Sequence, residues 1–155
     1  MQSIFVYMKH KGSISQVYIT RDKVAVPTLY RKAKTVAEYP TTFEKLFEIA
    51  AELPVPQFYI SDDAAIRYIR RRMYRNHKTD HLSPYKRRLF ESLYDTVCDM
   101  MKEDKYRRMG LAGTTTVALM RPAPCIGLTP NVIRQKYLEL RKKQKTVACS
   151  DSDRP

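Results

Sequence analysis

The chain has 155 residues, a length that suits one domain able to fold without disulfides or bound metal. Lys and Arg number 29 against 16 Asp and Glu, a net charge of +13. Such an excess repels itself and is relieved by a polyanion, so it indicates nucleic acid or an acidic membrane as the partner. No apolar run approaches the roughly 20 residues that span a bilayer, which disfavours a membrane protein.

Cysteines and the first residues predict the compartment. Cys98, Cys125 and Cys149 are odd in number and far apart, which favours a reducing environment without a disulfide framework. The first eight residues have no basic residue before their short apolar run and no small-residue cleavage site, so we expect no signal peptide. A cytoplasmic location is expected.

The N-terminal region, residues 1–40, is predicted to contain a β-hairpin. Residues 3–8 and 14–20 are rich in β-branched and aromatic residues, and the polar, Gly-containing segment 9–13 has the length of a hairpin turn. Residues 24–27 could add a short edge strand that ends at Pro27. Residues 31–40 are expected to form a basic connector.

The first helix is predicted over residues 42–53. Thr41 and Glu44 have the spacing of a capping box, and apolar residues follow at helical spacing. Pro54 and Pro56 then force an extended crossing, because each fixes its own φ and disfavours helix in the residue before it.

A second helix, residues 62–75, is predicted to carry an arginine stripe. Ser61 is a favourable N-cap, and apolar residues cluster on one side of the helix. Arg67, Arg71 and Arg75 lie on the opposite side, with Tyr68 and Tyr74 at its borders. From position 67 to position 88 there are nine basic residues and one acid, whereas a solvated face normally mixes charges. This pattern favours ligand binding over a merely solvated surface.

Further elements complete the predicted helical region. A long central helix over residues 83–108 begins at a Ser-Pro cap and carries a sustained apolar face. Gly110 is expected to end it, and a short helix is expected over residues 114–120. Gly110 and Gly113 have the spacing of a KH-domain phosphate clamp, but they lack the basic residues expected between them. The last helix is predicted over residues 130–145, and the tail 146–155 is expected to be disordered.

The Pro-x-Pro segment occurs twice. Pro54, Pro56 and Ser61 match Pro122, Pro124 and Thr129 at an offset of 68 positions. Each unit, 41–75 and 110–145, therefore has a helix, a crossing, a cap and a basic helix. The units are helix-turn-helix-like in a loose sense, because the crossing is longer than the three or four residues of the usual DNA-reading motif.

The paired motif resembles uncharacterised small basic proteins of gut-bacterial and phage genomes. The resemblance covers residues 40–140 and depends on Pro54, Pro56, Phe58, Tyr59 and Ser61. It implies a bacterial or phage setting and no particular activity.

The sequence thus predicts a mainly α-helical domain, in which two diverged helix-turn-helix-like units (41–75 and 110–145) surround the central helix. The predicted function is nucleic-acid binding, with DNA preferred over RNA. The alternative is a structural component of a larger nucleoprotein particle, ribosome-associated or virion, or a homo-oligomer. No catalytic, metal or cofactor site is predicted, because His77 and His81 lack further ligands and no nucleophile–base set is present. The predicted contact residues are Arg67, Arg70, Arg71, Arg75, Lys78, Lys86, Arg87, Arg88, Arg134, Arg141, Lys145, Tyr68 and Tyr74.

Overall fold

A computed structural model describes residues 15–38, 40–75 and 81–152, and within these ranges the chain is helical, without a β-strand. The prediction of a mainly α-helical protein is confirmed. The first strand of the expected hairpin, residues 3–8, lies outside the described residues. The second strand is wrong in its described part, because Gln16–Thr20 is a helix, α1.

The N-terminal segment forms one continuous helical run. Helix α1 passes through a π-helical turn, Arg21–Ala25, into α2, Val26–Val36, where an edge strand and a connector were expected. Val26, Leu29 and Ala33 recur at helical spacing and are at most 2% exposed. Burial of this face outweighs the weak strand preference of the β-branched residues.

The remaining helices agree in part with the predicted ones. They are α3 Phe43–Glu52, α4 Asp62–Arg75, α5 Pro84–Met100, α6 Asp104–Met109, α7 Leu111–Ala118 and α8 Pro130–Ser152. The helices predicted over 42–53 and 62–75 are confirmed as α3 and α4. In the ranges that the structure covers, no helix is both long and apolar enough to cross a bilayer.

Three predicted boundaries require correction. The helix expected over 83–108 is divided into α5 and α6, because Glu103 adopts an extended conformation with φ −88° and ψ 136°. Helix α7 begins before Thr114, which is fully buried within the helix and donates a hydrogen bond to the carbonyl oxygen of Tyr106 at 2.9 Å. Helix α8 continues to Ser152, into the tail that was expected to be disordered from residue 146.

The internal repeat is longer than the sequence indicated. At the same offset of 68, the starts of α1, α3 and α4 at positions 16, 43 and 62 match those of α5, α7 and α8 at positions 84, 111 and 130. Helix α5 is therefore the counterpart of the α1–α2 run and not a unique central helix. The units share three equivalent helical segments and a crossing, and the second unit has the short helix α6 in addition.

Equivalent residues also make equivalent hydrogen bonds. The hydroxyls of Ser61 and Thr129 each accept from the backbone N–H three residues further on, at 3.3 and 3.4 Å. The hydroxyls of Thr28 and Thr96 each donate to the carbonyl four residues back, at 2.7 and 2.8 Å. Such agreement at a constant offset indicates two copies of one structural unit.

The two crossings pair with each other. Val55 donates to the carbonyl of Ala123 at 3.0 Å, and Ala123, its equivalent, donates back to Val55 at 2.9 Å. Helix α3 packs against α8, and its equivalent α7 packs against α4. Helix α2 contacts α3 and α8. Its counterpart α5 contacts α7 and α4 in the same way. Each contact has its counterpart, so an approximate two-fold axis passes between Val55 and Ala123.

This exchange determines how the core is built. Phe58 and Ile126, equivalent residues of the two crossings, are each 1% exposed. Because α3 packs against α8 and α7 packs against α4, the two helices predicted for each helix-turn-helix-like unit pack across to the other unit, and self-contained helix-turn-helix units are not confirmed. The two units share one hydrophobic core and depend on each other for burial.

Candidate nucleic-acid interface

Helix α4 is fixed to the rest of the chain at its first residue and along one face. The Ser61 hydroxyl caps the helix, and the Ser61 N–H donates to the Tyr18 hydroxyl of α1 at 3.2 Å. Ala65 and Ile69 on the inner face are fully buried. This anchoring orients the opposite face of α4 towards solvent.

That outer face forms an arginine groove of about 680 Å³ between α4 and the start of α7. It is lined by Asp63, Ile66, Arg67, Arg70, Arg71, Tyr74, Arg75 and Ala112. The four arginines are exposed, and none of them makes an ion pair with a carboxylate in the described part of the chain. Asp63 is the single acid in the lining.

Arg72, on the same helix, has a different environment. Its guanidinium lies 3.5 Å from the Glu91 carboxylate of α5 and 5.1 Å from the centre of the Tyr94 ring. Arg72 therefore joins α4 to α5, whereas the four groove arginines remain available to an external anion.

The two tyrosines predicted to border the stripe have opposite positions. The Tyr74 side chain lies in the groove and is 76% exposed. Tyr68 is 8% exposed and packs on Phe90, with ring centres 4.7 Å apart, so its prediction as a groove or base contact is wrong. The reason is that Tyr68 lies one residue before Ile69 on the buried side of α4.

The environment of Tyr68 also affects its ionisation. Burial, and then the nearby carboxylate of Glu91, raise the pKa of Tyr68 to about 12. The contact between Tyr68 and Phe90 has an equivalent across the two-fold axis, the ion pair of Lys136 with Asp22 at 2.9 Å. The two units therefore use different chemistry at equivalent positions.

The predicted contacts on α5 do not line the arginine groove. Arg88 forms an ion pair with Glu52 of α3 at 2.7 Å, and this hydrogen bond raises the pKa of Arg88 above its ordinary value. Arg87 donates to the Leu82 carbonyl at 3.3 Å, and Lys86 is exposed. Lys78 lies outside the described residues.

The predicted contacts on α8 form a separate surface. Arg134 lies 5.7 Å from the centre of the Phe43 ring, and Arg141 lies 5.9 Å from the Tyr137 ring. These cations cover the aromatic cluster between α3 and α8. Lys145 lines a second hollow, on α8 alone, in which Leu138 is 40% exposed.

The groove residues of α4 differ in charge from their counterparts on α8, the equivalent helix of the other unit. Arg67, Arg70, Arg71 and Arg75 of α4 correspond at the offset of 68 to Gln135, Leu138, Glu139 and Lys143 of α8, and Tyr74 corresponds to Lys142. The four arginines of α4 thus correspond to one glutamine, one leucine and the oppositely charged pair Glu139 and Lys143 of α8. The repeat has kept its frame, and α8 is also basic, but the row of four groove arginines on α4 has no arginine counterpart on α8.

Sequence reasoning missed Ile66 and Ala112, which also line the groove. Ile66 was assigned to the apolar side of α4, and it lies at the boundary, half-buried. Ala112 is reached only because α4 packs against α7 of the other unit. Only an exchange of helices between units, which the offset alone does not imply, could have indicated this neighbour.

Other chemistry is sparse in the ranges covered by the structure. No group of three or more His, Cys, Asp or Glu side chains is placed there to hold a metal ion. Cys98 and Cys125 are free thiols, and burial raises the pKa of Cys125. Comparison with known proteins gives no relative: no family model, no curated protein and no solved structure matches the chain significantly.

Proposed function

We propose that the protein binds nucleic acid, with DNA preferred over RNA, through the arginine groove of α4. The observation that carries the proposal is the set of four exposed arginines, without carboxylate partners among the described residues, in one groove. Guanidinium groups suit phosphate because they present several donors in a planar fork. Mutual repulsion between them is relieved when phosphates bind.

The size of the groove fits a short contact. From Arg67 to Arg75 the helix rises by about 12 Å at 1.5 Å per residue. In duplex DNA the phosphates of one strand advance along the axis by about 3.4 Å each, so this length corresponds to about three or four phosphates of a duplex strand. The helix-turn-helix-like units enter the proposal only as the frame that holds α4, and the proposal includes no catalytic step.

The test is binding at two salt concentrations by fluorescence anisotropy. The parent is expected to bind labelled DNA at low salt and to lose affinity as salt rises. The Arg67→Ala/Arg71→Ala/Arg75→Ala variant is expected to bind much more weakly. A parent that binds neither DNA nor RNA at low salt would refute the proposal.

A matched control separates the groove from the overall charge. Lys23, Lys32 and Lys45 are exposed, lie away from the groove on the α1–α3 side, and make no ion pair in the described part of the chain. Their triple replacement by Ala removes the same charge. It is expected to reduce affinity far less than the arginine triple.

A component of a larger nucleoprotein particle is the second candidate function, and the α8 surface favours it. Leu138 is 40% exposed in a hollow whose lining also contains Glu139, Arg141, Lys142 and Lys145, so an apolar side chain lies there among charges of both signs. A surface of this kind suits a protein neighbour better than a row of phosphates. Under this alternative, the protein co-purifies with a particle and a Leu138→Asp variant is released from it.

A further inference from the structure

We infer that the arginine groove takes a single-stranded segment of nucleic acid, with one unpaired base stacked on Tyr74. The inference depends on the proposed function and specifies its ligand. Three observations support it: the exposure of Tyr74, the arrangement of cations around it, and the difference between the two units.

Tyr74 presents an aromatic face to solvent. Its side chain is 76% exposed, and no ring or cation contact to it occurs within the described ranges. Other tyrosines of the covered ranges, such as Tyr30, Tyr106 and Tyr137, contribute their rings to the core or to cation contacts. An exposed ring costs hydrophobic stabilisation, and contact with a base would recover it.

The Tyr74 ring lies among arginines of the same helix. Arg70 and Arg71 are one turn before Tyr74 on α4, and Arg75 follows it directly. Single-strand binding sites combine these two elements, a basic groove that follows the backbone and an aromatic ring on which a base stacks. Bases inside a duplex are already stacked and cannot cover the ring without being extruded.

The asymmetry of the repeat argues against duplex reading. Two-fold proteins that read a duplex place the same residues in two half-sites. Here, the equivalents of Arg70 and Tyr74 are Leu138 and Lys142, so α8 has neither the arginine row nor the exposed ring. One site on one unit suits a strand that passes a single groove.

The first test compares ligands and variants in one assay. Labelled single-stranded DNA, single-stranded RNA and a duplex of equal length are titrated at low salt with the parent, Tyr74→Ala, Tyr74→Phe and Met120→Ala. The control residue Met120 is apolar, 73% exposed, and not among the residues that line the groove. The parent is expected to bind a single strand more tightly than the duplex.

Tyr74→Ala is expected to weaken single-strand binding by about 5- to 150-fold, the range that the loss of one base–aromatic stack produces. Tyr74→Phe keeps the ring and is expected to stay within about twofold of the parent, as is Met120→Ala. The DNA and RNA arms identify the source of the base without changing the inference.

The second test uses the absence of tryptophan from the chain. A Tyr74→Trp variant carries a single indole in the groove, whose emission is expected to be quenched when a base stacks on it. A Met120→Trp variant is expected to keep its emission when the same strand is added. This readout reports contact at the ring itself and does not depend on affinity.

The failures of the two proposals are distinguishable. If no nucleic acid binds the parent at low salt, the proposed function is wrong and the inference is lost with it. If the duplex binds as tightly as either single strand, or if Tyr74→Ala binds like Met120→Ala, the inference is overturned and nucleic-acid binding stands.

Discussion

Gly127 combines a positive φ with a close side-chain neighbour, so one added carbon should be costly there. Its φ of +81° lies in the left-handed region, which costs a residue with a side chain about 1–2 kcal/mol. A Cβ at this position would also lie 2.5 Å from Cδ2 of Leu89, too close for any real contact. Relief of such overpacking costs about 1–3 kcal/mol more.

We therefore expect Gly127→Ala to destabilise the protein by about 2–5 kcal/mol, the sum of the backbone and steric contributions. For a chain of this size the melting temperature should fall by roughly 5–15 °C. The measurement is thermal and urea unfolding followed by circular dichroism. The repeat agrees with the steric argument. The first unit has a side chain, that of Tyr59, at the position equivalent to Gly127, and there Arg21 takes the place of Leu89.

Two further variants separate the backbone contribution from the steric one. Gly110 also has a positive φ, +88°, but a Cβ there meets nothing within 4 Å, so Gly110→Ala should show only the backbone cost. In a Leu89→Ala background the clash at Gly127 is removed, and the added cost of Gly127→Ala should fall. The reasoning is refuted if the Leu89→Ala background leaves the cost of Gly127→Ala unchanged.

Two other predictions concern stability at high pH and the limits of the interface. Because the folded state raises the pKa of Tyr68 from 10.0 to about 12, the unfolded chain ionises first and stability should fall as pH rises from about 10 towards 12. Tyr68→Phe should lack this contribution, so urea unfolding should show the parent losing stability relative to the variant in that window; parallel curves would contradict the assignment. Arg88 is paired with Glu52, so Arg88→Ala should weaken DNA binding much less than Arg71→Ala in the anisotropy assay. Equal losses would place Arg88 in the contact surface.

Local sequence patterns predicted the helices that begin at an N-cap residue. Thr42 accepts from the Lys45 N–H at 3.2 Å, one position after the cap expected at Thr41, and Ser61 and Ser83 cap where they were expected to. Pro54 and Pro56 produce the extended crossing that their fixed φ requires. These features depend on neighbours in sequence, so the sequence was sufficient.

The predictions that failed concern features determined by contacts between residues far apart in the sequence. The β-branched residues before Val26 have a weak preference for strands, and packing of α2 against α3 and α8 overrides it. Tyr68 lies within the arginine stripe in sequence, yet its ring is buried against Phe90 of α5. The full length of the repeat was also hidden, because Ala25 and Leu29 match Leu93 and Val97 in burial and not in identity.

The arginine groove was predictable only as a row of charges. Helical spacing placed Arg67, Arg71 and Arg75 on one face of α4, and the structure has that face exposed. Ala112 of α7 completes the groove lining, through the exchange of helices about the Val55–Ala123 pair. Depth and shape therefore required the tertiary structure.

The most direct test of nucleic-acid binding is the slope of the logarithm of affinity against the logarithm of salt concentration. Four phosphate contacts on a single strand predict a slope of about −3 from the groove, and removal of three arginines should reduce its magnitude by about 2. The Lys23→Ala/Lys32→Ala/Lys45→Ala control should keep the parent slope. If the arginine triple keeps the slope of the parent, the groove of α4 does not hold the phosphates and the proposed site is wrong.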